Sequence, residues 1–108
     1  MKLRHLVLSL TAAVSLPAVA ADLEAGKKMA AEVCASCHGA EGKAIADNFP
    51  NLAGQYEDYL KHSLRGYRDG SRKNAVMAGF ATNLSDEDIA NLAAWYASQT
   101  GLGILPVK

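Results

Sequence analysis

The chain is poor in cysteine and carries no excess of charge of either sign. Its 108 residues include only Cys34 and Cys37, so it lacks the second cysteine or histidine pair that a zinc ribbon requires. Eleven basic and eleven acidic residues give a formal net charge of zero, which argues against a nucleic-acid partner. No segment alternates apolar and polar residues in a sustained way, and none is repeated. These absences predict a single, small, all-helical domain.

A long hydrophobic run is also missing. The longest apolar stretch, residues 6–16, is about half of the roughly 20 residues that a membrane-spanning helix needs. Lys2 and Arg4 precede this stretch, and Pro17 with the small residues 18–21 follows it, which is the order of regions in a secretory signal. We therefore predict a cleaved signal peptide over residues 1–21 and a mature domain over residues 22–108, with no stable membrane insertion.

The pentapeptide Cys34-Ala35-Ser36-Cys37-His38 carries the chemistry of the chain. Two thiols at this spacing can form thioethers with the two vinyl groups of one porphyrin, and the adjacent imidazole can bind its iron, so the motif predicts one covalently attached haem c. A disulfide or redox Cys-x-x-Cys and half of a zinc site are the alternatives. A mature domain of fewer than 90 residues also needs a cofactor to complete its core. Export combined with haem attachment indicates the bacterial periplasm.

The remaining pattern predicts helices joined by irregular loops. A first helix over residues 22–33 runs into the haem motif, and a second covers residues 55–67 and ends at Asp69-Gly70. A third begins after the N-cap Ser85, with Asp88 as its capping-box partner. Irregular connections are expected at residues 39–42 and 48–54, and residues 74–80 lie between two predicted helices, so the domain should contain three to four helices with irregular loops. Gly101 and Gly103 close the last helix, and Pro106 disfavours further helix.

The sixth ligand of the iron can be a methionine, a second histidine or nothing. Met77 lies between two predicted helices, far enough after His38 to cross the haem, and is the favoured ligand. Packing without ligation remains the alternative role for Met77. Met29 lies on the first helix and is expected to pack in the core. His62 falls beside Lys61, away from the apolar face of its helix, and is expected to be solvated.

The charged residues are unevenly distributed. A basic cluster lies in the middle of the chain and an acidic triplet opens the last helix (Lys61, Arg65, Arg68, Arg72, Lys73; Asp86, Glu87, Asp88). Solvated helix faces and a favourable interaction with the helix dipole account for most of these charges. A docking patch for an acidic redox partner is the alternative.

In four motifs the chain resembles a class I cytochrome c, and it is most similar to the monohaem members of the cytochrome c4 and c553 group. The motifs are residues 34–39, residues 50–55, Met77, and the opening of the last helix with Trp95-Tyr96, and they span essentially the whole mature chain. In place of the aromatic residue that the family often has four positions after Gly26, this chain has Ala30.

The resemblance implies a specific haem site. It implies thioethers from Cys34 and Cys37, axial ligation of a low-spin iron by His38 and Met77, and a hydrogen bond from His38 to the carbonyl of Pro50. It also implies that the first and last helices cross closely at Gly26, near Trp95 or Tyr96. The group includes dihaem proteins that repeat the unit, which occurs once in this chain.

With both axial positions occupied by the protein, the expected function is one-electron transfer and not catalysis. The favoured hypothesis is a monomeric periplasmic carrier that shuttles electrons between a respiratory or dehydrogenase donor and a terminal acceptor, after maturation by haem-ligation machinery. The first alternative is the haem c subunit of a periplasmic dehydrogenase complex that oxidises a flavin-linked substrate or a sulfur compound. A gas-binding sensor and a thiol–disulfide protein are further alternatives.

Overall fold

All the regular secondary structure in the described part of the chain is helical. The computed structural model describes residues 8–16 and 19–101; Lys2, Arg4, Pro17 and Ala18 of the predicted leader, and Gly103 and Pro106, lie outside them. Within this part there is no strand, which confirms the all-helical prediction, and no helix is long and apolar enough to cross a membrane. The elements are α1 (Leu23–Met29), a π-helical segment (Ala30–Cys34), α2 (Ala35–His38), α3 (Glu57–Asp69), α4 (Ala75–Ala81) and α5 (Asp86–Ala97).

The first three elements form one continuous helical rod that carries the haem motif. The Asp22 carboxylate caps α1 by accepting a hydrogen bond from the backbone N–H of Ala25 at 3.0 Å. The rod keeps right-handed helical backbone angles through the π-helical segment and stops at Gly39, whose φ is 77°. Glycine is favoured at this position because other residues rarely adopt a positive φ. The helix therefore includes the motif, and π-helical turns of this kind occur frequently at functional sites.

Helices α1 and α5 cross at Gly26, as the resemblance implied. A Cβ atom on Gly26 would lie 3.0 Å from Cβ of Trp95 and would overlap the backbone carbonyl of Asn91. The buried Asn91 side chain also accepts a hydrogen bond from the backbone N–H of Asp22 at 2.8 Å. Ala30 is fully buried at the same interface, so the crossing is tight without an aromatic residue there.

Helices α3 and α5 complete the core. Helix α3 begins two residues later than predicted and ends as predicted at Asp69, where Gly70 closes it in the left-handed conformation at φ 84°. In α5 the predicted capping box is present, with Ser85 and Asp88 exchanging two hydrogen bonds of 3.0 Å. The core cluster consists of Ala30, Leu60, Leu92, Ala93 and Tyr96.

Residues 75–81, which lie between two of the predicted helices, form the short helix α4, so the described residues 8–16 and 19–101 contain four helical segments, in agreement with the predicted three to four. Asn74 caps this helix by accepting a hydrogen bond from the backbone N–H of Met77 at 3.0 Å. Asparagine followed by small apolar residues is a helix-start signal, so the helix could have been found from the sequence.

The basic and acidic clusters meet at Arg68. Its guanidinium donates to the Asp86 carboxylate at 2.7 Å and to the backbone carbonyl of Leu84 at 3.1 Å. Arg68 therefore joins the end of α3 to the start of α5, which sequence spacing alone did not indicate.

Candidate haem site

A cavity of about 400 Å³ lies between the haem motif and helices α3 and α4. All five residues predicted for the site line this cavity: Cys34, Cys37, His38, Pro50 and Met77. Its walls are otherwise largely aliphatic and aromatic, with contributions from Phe49, Leu52, Leu60, Leu64, Val76, Phe80 and Leu92. The fold therefore gathers residues that are up to 43 positions apart in the sequence around one apolar space.

His38 is buried and held in one orientation. Its Nδ1 lies 2.9 Å from the backbone carbonyl oxygen of Pro50, and its ring meets that of Phe49 edge-on at 6.5 Å between centroids. A carbonyl only accepts, so Nδ1 carries the proton in this contact. This contact leaves Nε2 as the ring nitrogen through which His38 can bind a metal.

The two cysteines are free thiols and are half-buried. Burial raises the pKa of the Cys34 thiol, and a hydrogen bond with Tyr96 offsets this only in part. Cysteines in thiol–disulfide proteins have the opposite property, since their pKa is lowered to favour the thiolate. The environment of Cys34 therefore argues against the thiol–disulfide alternative, whereas a buried thiol at the edge of an apolar cavity fits covalent attachment of an apolar ring.

The positions of the three other candidate iron ligands in the fold distinguish between them. Met77 is half-buried in the first turn of α4 and lines the cavity. Met29 is partly buried against the core cluster and is absent from the cavity lining, in agreement with its predicted packing role. His62 is exposed on α3, as expected for a solvated histidine.

Two neighbouring aromatic residues of α5 hold the chain directly after the haem motif. The indole Nε1 of Trp95 donates to the carbonyl of Ala40 at 2.8 Å, and the Tyr96 hydroxyl donates to the carbonyl of Gly39 at 3.0 Å. Burial is the main cause that raises the pKa of Tyr96, so this hydroxyl stays protonated and remains a donor. Neither hydrogen bond was predicted from the sequence, because the two residues that each bond joins are 55 and 57 positions apart, respectively.

The donor set fits a haem. Two free thiols, an imidazole and a thioether surround one cavity, and its walls are suited to a flat apolar macrocycle. Thioether and imidazole together are a known ligand pair for haem iron in electron-transfer proteins.

Comparisons with known proteins agree with this site. The family model described as cytochrome c matches residues 23–100. Cytochrome c4 of Pseudomonas aeruginosa is 51% identical over 80 residues, which are 74% of this chain and 39% of that protein. Cytochrome c-554(548) of Halomonas halodenitrificans is 51% identical over 69 residues, which are 61% of this chain and 83% of that protein. The crystal structure of reduced cytochrome c4 from Pseudomonas stutzeri superposes with a TM-score of 0.70 at 42% identity, covering 77% of this chain and 48% of that one.

The chain thus spans less than half the length of the cytochromes c4 that it matches. A further relative is a thiosulfate dehydrogenase electron acceptor of Thiomonas intermedia, 46% identical over 65 residues, which are 59% of this chain and 30% of that protein. The family match covers the whole helical domain, from α1 to α5. The chain belongs to the cytochrome c family as a class I cytochrome c, and its cofactor is covalently attached haem c.

Proposed function

We propose that this chain is a periplasmic one-electron carrier with a single haem c. Residues 1–21 are its cleaved leader, and residues 22–108 are the working domain. Cys34 and Cys37 form the thioethers, and His38 and Met77 are the axial ligands. The observation that carries the proposal is that these four side chains line one apolar cavity, with His38 held through its Nδ1 by the carbonyl of Pro50.

The residues around the cavity define what the domain can do. When bound, haem supplies an iron that gains or loses one electron. The carbonyl of Pro50 accepts from Nδ1 and fixes the orientation of the His38 ring, which leaves Nε2 as the nitrogen for a metal. The apolar walls exclude water, and a soft thioether together with low polarity favours the ferrous state. If His38 and Met77 both bound the iron, no coordination position would remain for a substrate, and the domain would transfer electrons without making or breaking substrate bonds.

The natural partners of such a domain are a reduced donor protein and an oxidised acceptor protein. A monomer fits free diffusion between them, and the near-neutral charge makes nucleic acid an unsuitable partner. Maturation in the periplasm requires haem-ligation machinery, because the thiols must react with haem after export.

An absorption spectrum of the full chain, exported together with haem-ligation machinery, tests this proposal. We expect covalently retained haem, sharp low-spin bands in the reduced protein and the weak far-red band of a ferric iron–methionine bond. Reduced protein should not bind carbon monoxide. High-spin bands with carbon monoxide binding would favour the sensor alternative, and protein without haem would favour the thiol alternative.

A second candidate role is that of electron acceptor for a thiosulfate dehydrogenase. The named acceptor from Thiomonas intermedia, at 46% identity, favours this donor over others. Thiosulfate and catalytic amounts of a thiosulfate dehydrogenase should then reduce the haem of this chain in a stopped-flow experiment. Native mass measured beforehand separates the free carrier from the subunit alternative, since a subunit is recovered in a stable complex.

A further inference from the structure

Met77 lies on a segment with little packing of its own. The segment runs over residues 70–85, from the end of α3 to the start of α5, and it contains α4. Helix α4 has seven residues, too few for a helix that is stable alone. Ala81 is its only buried residue, and Val76 and Phe80 are 64% and 46% exposed. The position of Met77 at the cavity therefore depends on what holds the two ends of this segment.

Both ends of the segment are tied to α3. At the first end, the backbone N–H of Arg72 donates to the carbonyl of Gly66 at 3.1 Å. At the second end, Nη1 of Arg68 donates to the carbonyl of Leu84 at 3.1 Å. In the part of the chain that the structure describes, this is the hydrogen bond that joins residues 73–84 to another helix. Arg68 thus holds the second end of the segment that carries Met77.

The two contacts of Arg68 differ in strength. The Asp86 side chain is 77% exposed, so water and salt screen its ion pair with Arg68. Leu84 is partly buried against the core, and the Arg68 side chain is only 29% exposed, so the bond to the Leu84 carbonyl is screened less. The backbone N–H of Leu84 donates to the carbonyl of Ala81 at 3.1 Å. The position of Leu84 therefore also sets that of the end of α4.

We propose that Arg68 is a positioning residue for Met77, because it holds Leu84 against α3 and so closes the loop of residues 69–85. The proposal rests on the axial ligation by Met77 proposed above. A closed loop has fewer open conformations, so the thioether of Met77 leaves the cavity less often. Arg68 lies outside the core cluster, so its loss opens this loop locally and leaves the packing of α1, α3 and α5 intact.

Titration of the ferric, haem-loaded full chain with imidazole tests this role, because imidazole can bind only after Met77 has left its position. We expect R68Q to bind imidazole roughly tenfold more tightly than the unmodified protein, since it loses a charged hydrogen bond. R68K should lie between the two, because an ammonium keeps the charge but lacks the fork that reaches Leu84 and Asp86 together. D86N should change the affinity less than R68Q does, because the bond to Leu84 remains.

R65Q is the matched control for the lost charge. Arg65 lies exposed on the same helix and its charge also acts on Asp86, but it binds neither Asp86 nor the carbonyl of Leu84. Its imidazole affinity should match that of the unmodified protein. Amide hydrogen exchange separates local opening from general destabilisation: in R68Q exchange should be faster in α4 and unchanged in α1 and α5.

The outcomes separate this role from the proposed function. Equal imidazole affinities in R68Q and R65Q, or exchange that is faster by the same factor in every helix of R68Q, would overturn the positioning role and leave the carrier function standing. An unmodified ferric protein without the far-red band would overturn the ligation by Met77 together with this role. If R68Q does not retain haem, R68K decides, and an affinity no higher than that of R65Q would overturn the role.

Discussion

Gly26 of α1 lies against the backbone of Asn91 in α5 so closely that the two helices leave no space for a side chain. A Cβ atom at this position would lie 2.7 Å from the Asn91 carbonyl carbon and would overlap its oxygen. The contact is with backbone, which cannot turn away as a flexible side chain does. Glycine at position 26 therefore sets the distance between the first and last helices.

Substitution of this glycine should destabilise the domain. We expect G26A to lower the free energy of unfolding by about 1–3 kcal/mol, since an overpacked interface forces the helices apart. Denaturant unfolding of the haem protein measures the change. G79A is the control, because Gly79 is an exposed position in α4 with nothing within 4 Å of an added Cβ. G79A should stabilise the protein by about 0.5–1 kcal/mol. Equal effects of the two variants would contradict the close crossing.

The hydrogen bond from Tyr96 to Gly39 should contribute measurably to stability. Tyr96 is 3% exposed, so Y96F removes the donor from a partly buried hydrogen bond to the Gly39 carbonyl while keeping the ring in place. We expect a loss of about 1 kcal/mol in the free energy of unfolding. Y56F is the matched control, since Tyr56 is 69% exposed, and its effect should stay within about 0.5 kcal/mol. A Y96F protein as stable as Y56F would show that water satisfies the carbonyl equally well.

Tyr96 should also make stability fall at alkaline pH. Burial raises its pKa in the folded protein above the ordinary value of 10.0. The unfolded chain therefore loses the Tyr96 hydroxyl proton at lower pH than the folded protein does. The contribution of Tyr96 to the free energy of unfolding is complete below about pH 10 and is lost as the pH rises further. The free energy of unfolding should decline less steeply above about pH 10 in Y96F than in the unmodified protein. If the free energy of unfolding declines equally steeply with pH in Y96F and in the unmodified protein, Tyr96 does not cause the decline.

Removal of the Met77 thioether should change the spin state of the haem. In M77A we expect the far-red ferric band to disappear, high-spin bands to develop and carbon monoxide to bind the reduced protein. M29L is the control, because Met29 packs against the core and does not line the cavity. Its spectrum should match that of the unmodified protein. An unchanged spectrum in M77A, or a changed one in M29L alone, would contradict the ligand assignment.

The ion pair between Arg68 and Asp86 should make a small, pH-dependent contribution. The Arg68 hydrogen bond holds the pKa of Asp86 below its ordinary value of 3.8. Because the pKa of Asp86 is lower in the folded protein than in the unfolded chain, the ion pair contributes its full stability above pH 3.8. This contribution is lost as the pH falls through the pKa of Asp86 in the folded protein. We expect D86N to be slightly less stable than the unmodified protein at neutral pH, with the difference vanishing in acid and shrinking in high salt.

E87Q is the matched control for this pair. Glu87 lies in the same first turn of α5 and feels the same helix dipole, but it has no ion pair within residues 8–16 and 19–101. The loss of stability in D86N would be due to the helix dipole, and not to Arg68, in either of two cases. The loss would persist unchanged in acid, or E87Q would show a loss of the same size.

Local signals in the sequence predicted much of this fold. The N-cap Ser85 and its partner Asp88 are three residues apart, so the start of α5 could be placed correctly. The bounds of helix α4 were not predicted from the sequence, although its N-cap Asn74 is a usable helix-start signal. Contacts of Trp95 and Tyr96 with the segment after the haem motif leave no local pattern, because their partners are more than 50 residues away.

The sequence by itself determined the helical class, the helix caps and the haem-attachment motif, since each depends on residues only a few positions apart. Only the tertiary structure could bring Met77 to the cavity wall, pack Met29 against the core and give Arg68 its carboxylate partner. The reason is that partners such as Asp86 for Arg68, or the core for Met29, are supplied by segments distant in the chain. A side chain becomes available for a cofactor when the fold has given it no other partner, and that depends on the packing of the whole domain.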